Sequence, residues 1–556
     1  MLDRALARTL VLSASCALGV FAGCGGGGGH GGGTAPVNNN PNPPGGNPPP
    51  PPPPGVGASP TPAAVTLNPP KYYVDFASGN DTNAGTSPTT AFMHCPGDSN
   101  ATGVAATTVL KPGDGVLFKG GVSYEGTVVV ASSGTAGATI TYDGNSAGTF
   151  GTGLATIDGA RTRSLGFQGV SQSYVLVNAF NLSSFDTTTN STAISFDGGS
   201  NVEIANCRIS QVYFASNPNP GSTAWESQTG TGIAVNDCPG AYIHDNIVRD
   251  CGNACIALSA ESGLQIQGGT ISHNEVTNMN WGINVALGNS DPGTVLSGIQ
   301  IVGNYIHDFD NYEVCAAWHR DGIFVFARPD TSNPTITNVE IANNYFEDTT
   351  SGFGSTAWIY MEYNCTGFRI HHNVLNSSPA YFSLRILDDV ADGTTAAGNH
   401  QIYDNTFYNV TSQGNYGMHI ERSTGCQLRN NIFFVDAFAY AVMPDSMPGF
   451  SSDYNVFFTS SSTQTAVAVL NSGPANALGS NTSTLAQLQA QSFDTHSLFA
   501  NPMFVTNPAQ ITSDPTGFKI AATSPAVGAG TNLGFTQDFS GKAIPSTSPD
   551  VGAFQH

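Results

Sequence analysis

The chain has 556 residues, with 65 Gly, 34 Pro and only 10 % charged side chains. It is too long for one ordinary compact core, and so little charge would be unusual in a single globular domain; a β-rich solenoid tolerates it, because each coil needs turns more than polar helices. The formal net charge of -22 argues against a sequence-independent nucleic-acid binder, which needs a basic stripe, but leaves room for an acidic substrate held at a local basic site or through a bridging cation.

Residues 1–24 read as an export signal. Arg4 and Arg8 precede an apolar run over 10–20 that is too short to span a bilayer. Phe21-Ala22-Gly23-Cys24 follows, and small residues before a cysteine resemble the lipobox of bacterial lipoproteins. The resemblance implies cleavage before Cys24, lipidation of its thiol and a place in the bacterial cell envelope, on the periplasmic side of the outer membrane or at the cell surface. Residues 25–70 form a Gly run and then a Pro- and Asn-rich run, which cannot bury enough apolar surface to fold and is expected to act as a linker. No later segment is a membrane-span candidate, so membrane contact is expected only through the lipid. Eight cysteines remain beyond Cys16 and Cys24. Disulfides are plausible in an oxidising compartment, with connectivity left open.

Folded sequence is expected from Lys71. Over 71–165 short β-runs alternate with Gly turns, as at Gly113, Gly115, Gly134 and Gly137, an order of motifs that resembles the N-terminal cap and first coils of pectate-lyase-like β-helix proteins. From 166 to 460 a repeat appears: an apolar residue, two others, Asn, one other, then an apolar residue. It places Asn178, Asn246, Asn274, Asn304, Asn344, Asn373, Asn405, Asn431 and Asn455 in one slot, with Cys207 filling another. Nine intervals cover the 277 residues from 178 to 455, about 31 each, longer than a leucine-rich repeat. A buried Asn has two donors and two acceptors, so stacked coils can satisfy each Asn with the next.

This slot, with the Gly-rich opening segment, resembles the pectate-lyase-like parallel β-helix proteins. The resemblance implies an all-β fold: a right-handed single-stranded parallel β-helix, a solenoid with N-terminal and C-terminal caps. In that family the Asn turn separates the second and third strands of a coil. The first strands then fall at 232–236, 255–259, 282–286, 322–326, 358–362, 384–388 and 417–421. The repeat is expected to stop near Ser461. The remainder, 461–556, with a short helix over 484–491, resembles C-terminal caps of β-helix proteins from bacterial surfaces, so Asp494 and His496 are read as structural.

Strand alternation points Ile233, Ile256, Ile283, Ile323, Ile359, Leu384 and Met418 inward. Two outward columns result: Ala234, Ala257, Asn284, Phe324, Tyr360, Arg385, His419; and Asn236, Ser259, Ala286, Phe326, Glu362, Leu387, Glu421. Tyr360, Arg385 and His419 should sit on successive coils, ~4.8 Å apart, with Glu362 and Glu421 beside them. Such a cluster can take a proton, stabilise enolate-like charge and protonate a leaving oxygen. These five are the candidate catalytic residues.

Asn284, Phe324, Trp318, His319, Arg320, Asp321 and Arg328 are the candidate substrate-binding residues. The intervals 207–246 and 304–344 are the longest in the repeat, and their excess holds Trp225 and Trp318 in loops placed to wall a groove. No Lys occurs between Lys119 and Lys519, although several lyases of this fold use Lys as base, so Arg385 or His419 would have to serve. Calcium is common in the family, and Asp388 and Asp389 with Glu421 offer oxygen ligands, but no compact acidic loop is present. Three readings follow: a lyase cleaving a uronate-containing polysaccharide by β-elimination, an inverting glycoside hydrolase using Glu362 and Glu421, or a non-catalytic glycan-binding scaffold. A monomer is expected.

Overall fold

The computed structural model describes residues 65–185, 191–212, 230–287, 293–308, 320–327, 335–348, 356–376, 382–387, 398–410, 416–461, 465–470, 482–508 and 514–556. Cys24, Trp225, Trp318, His319, Arg328, Asp388 and Asp389 lie outside these residues.

The chain winds through three rows of strands. The first row includes Ala254–Ser259, Trp281–Leu287, Asp321–Ala327, Ala357–Glu362, Phe382–Leu387 and Tyr416–Glu421, each paired in parallel with the next. The second includes Val295–Val302, Glu340–Ala342, Arg369–His371, Gln401–Tyr403 and Gln427–Arg429. The third includes Tyr305–His307, Tyr345–Glu347, Val374–Asn376, Thr406–Asn409 and Ile432–Val435. Between the rows lies one continuous apolar core, filled by the inward residues expected from alternation; Ile233, Ile256, Ile283, Ile323, Ile359, Leu384 and Met418 are all fully buried. A side chain of this size stabilises the fold by roughly 1.5–3 kcal/mol on burial.

The turn from second to third row carries the Asn ladder. Eight residues, Asn246, Asn274, Asn304, Asn344, Asn373, Asn405, Asn431 and Asn455, repeat one arrangement. The side-chain oxygen of Asn344 accepts from the backbone N–H (2.9 Å) and the amide (3.0 Å) of Asn304, while the Asn344 amide donates to Ile301 O (2.8 Å) and to Asn373 (3.0 Å). The preceding residue takes a left-handed conformation, as at Asp245, His273, Gly303, Asn343, His372, Asp404, Asn430 and Tyr454. The ladder ends where Asn455 donates to Ser497 Oγ and Asp494 Oδ1. Asp494 is thus a buried terminal acceptor, and His496 pairs with Asp453 at 2.8 Å.

Three expectations need correction. Asn178 is not in the ladder: strand register aligns Val177 with Ile204 and Ile204 with Ile243, which puts Phe180 in the slot. Asn178 matches the motif by spacing alone, two residues early, and bonds Asp143 and Asn206 instead. The coils also continue past Ser461, because Ala466–Leu470 pairs in parallel with Phe438–Val442 and Leu498–Phe499 with Val456–Phe458. Antiparallel Thr482–Thr484 then closes the first row, and Thr484 caps the short helix Leu485–Ala490. Finally, among the described cysteines beyond the signal, Cys95, Cys207, Cys238, Cys251, Cys255 and Cys426 are buried thiols outside any disulfide.

Candidate active site

The first row carries the candidate residues in one aligned strip. Phe324, Tyr360, Arg385 and His419 are successive Cα partners, and Phe326, Glu362, Leu387 and Glu421 form the parallel column. Arg385 is central. Its guanidinium lies over the ring of Tyr360 at 5.0 Å and that of Phe382 at 5.3 Å. Its Nε is buried with no hydrogen-bond partner among the described residues, and the same holds for His419 Nδ1. Tyr360 donates its hydroxyl to Glu362 Oε1 at 3.2 Å.

A third outward column, not evident from alternation, runs beside these two: Ala254, Trp281, Asp321, Ala357, Phe382, Tyr416 and Phe438. Its origin is a pair of consecutive inward positions in these strands, such as Cys255-Ile256 and Trp358-Ile359, both in the core. A Cβ on Gly282 would lie 2.5 Å from Gly322 O, and one on Gly322 would lie 2.7 Å from Trp358 O and 3.0 Å from the core ring of Phe346. The glycine position therefore faces inward, as does the apolar residue after it, so strict alternation fails there and the residue before glycine turns outward. Aromatic residues immediately before a small residue, as in Trp281-Gly282 and Tyr416-Gly417, were the available signal. They build an apolar layer on the outer face of the first row. Trp281 lies 5.0 Å from Phe324, Phe324 5.5 Å from Tyr360, Phe382 5.8 Å from Tyr416 and 5.4 Å from His419, and Tyr416 5.7 Å from Phe438.

This layer changes the character of the strip. Phe324, Tyr360, Phe382, Tyr416 and His419 are buried, whereas Glu362, Arg385 and Glu421 remain half-buried. The aromatics are a floor, and the charged groups rise from it. Burial, followed by the Glu362 charge, holds the Tyr360 phenol well above its ordinary range, so it keeps its proton. Burial, reinforced by Arg385, pushes His419 down to about 4. Burial also raises Glu421 despite opposition from Arg385, with Asp445 acting in the same direction as burial. His419 is therefore a neutral ring near pH 7 and a weak base. Arg385 is the cation of the strip and not its base, since a guanidinium does not give up its proton in proteins.

Other candidates have structural partners. Asn284 donates to Phe324 O at 3.2 Å. Asp321 Oδ1 accepts from Ala357 N–H at 3.1 Å, and Arg320 O from Thr356 N–H at 2.7 Å; both residues are buried. Among the described residues, no group of three or more His, Cys, Asp or Glu side chains is arranged to hold a metal ion. Asp388 and Asp389, the other candidate calcium ligands, lie outside the described residues.

Residues 114–306 match the family model described as "Right handed beta helix region". The chain is a right-handed parallel β-helix. No curated protein matches it in sequence. Among solved structures, this β-helix is similar to the native lacto-N-biosidase of Eubacterium ramulus, with 14% identity, 72% of this chain and 67% of that chain covered, and a TM-score of 0.47. It is also similar to XylC in complex with xylose, with 10% identity, coverages of 72% and 86%, and a TM-score of 0.46. A third is pectate lyase Pel9A, with 14% identity, coverages of 89% and 98%, and a TM-score of 0.42.

Proposed function

We propose that this β-helix is an exported, lipid-anchored carbohydrate-active enzyme that cleaves a uronate-containing polysaccharide by β-elimination. The observation that carries the reading is Arg385. It is a half-buried cation between Tyr360 and His419, its Nε lacks a hydrogen-bond partner among the described residues, and two glutamates stand on the adjacent column. Arg385 would clamp the uronate carboxylate and stabilise the enolate-like charge that follows loss of the C5 proton. Glu421 accepts that proton, its raised pKa making it a better base than an ordinary carboxylate. As the C4–O bond breaks, Tyr360 donates its phenolic proton to the leaving oxygen and is reprotonated through Glu362, to which it is bonded. The aromatic floor suits stacking of sugar rings. Anchoring at Cys24 and the linker over 25–70 would hold the β-helix away from a membrane surface in the cell envelope.

A second reading rests on a different observation. Glu362 and Glu421 are separated by two coil steps through Leu387, which puts their backbones ~9–10 Å apart, near the upper range of ~6.5–9.5 Å for an inverting carboxyl pair. Pectin, alginate and glycosaminoglycans, incubated with the protein while absorbance of unsaturated uronate is followed, separate the readings. Unsaturated product lost in Arg385→Ala supports the lyase. New reducing ends without that absorbance replace it with the hydrolase, and binding without product replaces both with a glycan-binding scaffold.

A further inference from the structure

The C-terminal segment 514–556 is a strap folded back over the Asn-ladder turns and the outer face of the third row. Asn430 and Thr531 exchange two hydrogen bonds of 2.8 and 2.9 Å. Ala553 N–H donates to Thr406 Oγ1, and Gly552 N–H to Asn430 O. Phe518, Ala553 and Phe554 cover Tyr345, Val374 and Tyr408, while Ile520, Ala526 and Val551 cover Ile432 and Val456. At the far end of this contact, Phe535 packs on two consecutive histidines: its ring lies 4.4 Å from that of His371 and 4.9 Å from that of His372.

The hydrogen bonds of those histidines fix their protons. His371 Nε2 lies 3.0 Å from Glu340 Oε1, so it carries the hydrogen that the carboxylate accepts. His371 Nδ1 lies 3.0 Å from His372 Nδ1, and only one of the two can be protonated. With both rings neutral, His372 donates and its own Nε2 is a bare acceptor, buried and without a partner among the described residues. The pair can absorb one proton by shifting tautomers, with His371 doubly protonated against Glu340 and His372 turned to its Nε2–H form. A second proton would set two N–H groups against each other at 3.0 Å.

The surroundings disfavour even the first. Arg369, on the same strand, places its guanidinium 5.6 Å from the Phe535 ring and repels charge on His371. Among the described residues, Glu340 is the carboxylate bonded to the pair, and its hydrogen bond with His371 favours its ionised form. Asp404, the next residue along the column of left-handed turn positions, is buried, and its carboxyl is held well above the ordinary range by that burial. On the strap, Asp538 is committed to Ser540, Lys542 and Gln555. Burial depresses both histidines, His372 strongly, with the His371 charge adding to it.

We propose that the His371–His372 pair is an acid-sensitive latch, and that its protonation releases the C-terminal strap and bares the apolar outer face of the third row while the coils persist. Imidazoles uncovered by strap release titrate at ~6.5, so the protein with its strap detached binds more protons at this pair than the docked one. Docking is complete above that pH and weakens as pH falls through it.

The test is hydrogen exchange on the full chain at pH 7.5 and 4.5, corrected for intrinsic exchange rates. Peptides within 529–556 should lose protection by about ten-fold or more at the lower pH, while 369–376 and 401–409 keep theirs. In His372→Asn the strap should stay protected at pH 4.5: Asn tolerates the left-handed backbone at this position, φ 51°, and its amide can face His371 Nδ1 as donor or acceptor without titrating. Phe535→Ala should expose the strap already at pH 7.5. Equal strap protection at both pH values would overturn the proposal. So would loss of strap and coil protection together, the outcome expected if buried His400, which burial depresses to about 3, dominated instead, or a His372→Asn strap as acid-labile as the wild type.

Discussion

Arg385 and His419 are Cα partners in adjacent parallel strands, and each keeps a buried nitrogen without a hydrogen-bond partner among the described residues. Two unsatisfied nitrogens side by side are costly for stability alone, at roughly 1–3 kcal/mol for a buried polar group. Their cost is explained if an anionic ligand completes them. Arg385→Leu should therefore cost little or no thermal stability, since it removes a half-buried charge from an aromatic layer, yet lower the rate of product formation by about 10²–10³-fold or more. Melting curves and initial rates on the same preparation check both halves.

The pH dependence of activity should follow Glu421. Burial raises its carboxyl above the ordinary range, so a base role predicts a rate that rises with pH through a value above the usual ~4.3 for Glu. His419, near 4 and already neutral there, should contribute no such limb. Glu421→Gln should abolish the limb together with most of the rate, whereas His419→Gln should leave its position unchanged. A pH–rate profile of the three proteins decides this.

Stability should move oppositely for those two groups. Native His419 is neutral down to about 4, while an unfolded imidazole takes a proton near ~6.5. Stability is full above the latter value, falls as pH drops through it and levels off below the former, a loss of up to about 3 kcal/mol from this residue. Glu421, raised in the native state, takes its proton before the unfolded chain does and offsets part of that loss as pH falls. Urea midpoints at pH 7 and 4.5 should therefore differ less for His419→Gln than for wild type.

Breaking the ladder should be far more damaging than breaking its look-alike. Asn344→Ala removes four hydrogen bonds within a fully buried stack and leaves the Asn304 backbone N–H and one hydrogen of its amide without their acceptor and Ile301 O without its side-chain donor, a cost of about 3–5 kcal/mol. Asn178→Ala, outside the ladder, should cost about 1–2 kcal/mol. Equal losses in denaturant unfolding would show that the eight-rung stack is not cooperative.

Gly552 offers a steric test of strap docking. It holds φ 102°, and a Cβ there would lie 2.5 Å from Ile432 Cδ1 and 3.1 Å from Thr406 Oγ1. Gly552→Ala should open the strap to proteolysis at neutral pH at a cost of about 1–3 kcal/mol, while circular dichroism of the coils is retained.

The sequence by itself determined the solenoid. A buried Asn every coil has one economical solution, the stack, and the apolar pair around it sets which neighbouring residues face the core. That reasoning recovered the inward residues, two of the three outward columns and the alignment of Tyr360, Arg385 and His419. It failed where spacing and register part company: Asn178 fits the motif, but only pairing of Val177 with Ile204 reveals that Phe180 fills the slot. It also failed where two consecutive residues of a first-row strand face inward, as at Gly282-Ile283, Trp358-Ile359 and Gly417-Met418, because a period of two cannot show such a pair, and so Trp281, Phe382 and Tyr416 remained hidden as site residues. Tertiary structure alone decided the protonation states and the strap. Burial depends on what covers a side chain, and Phe535 reaches His371 from more than a hundred residues away, a distance over which no local pattern carries information.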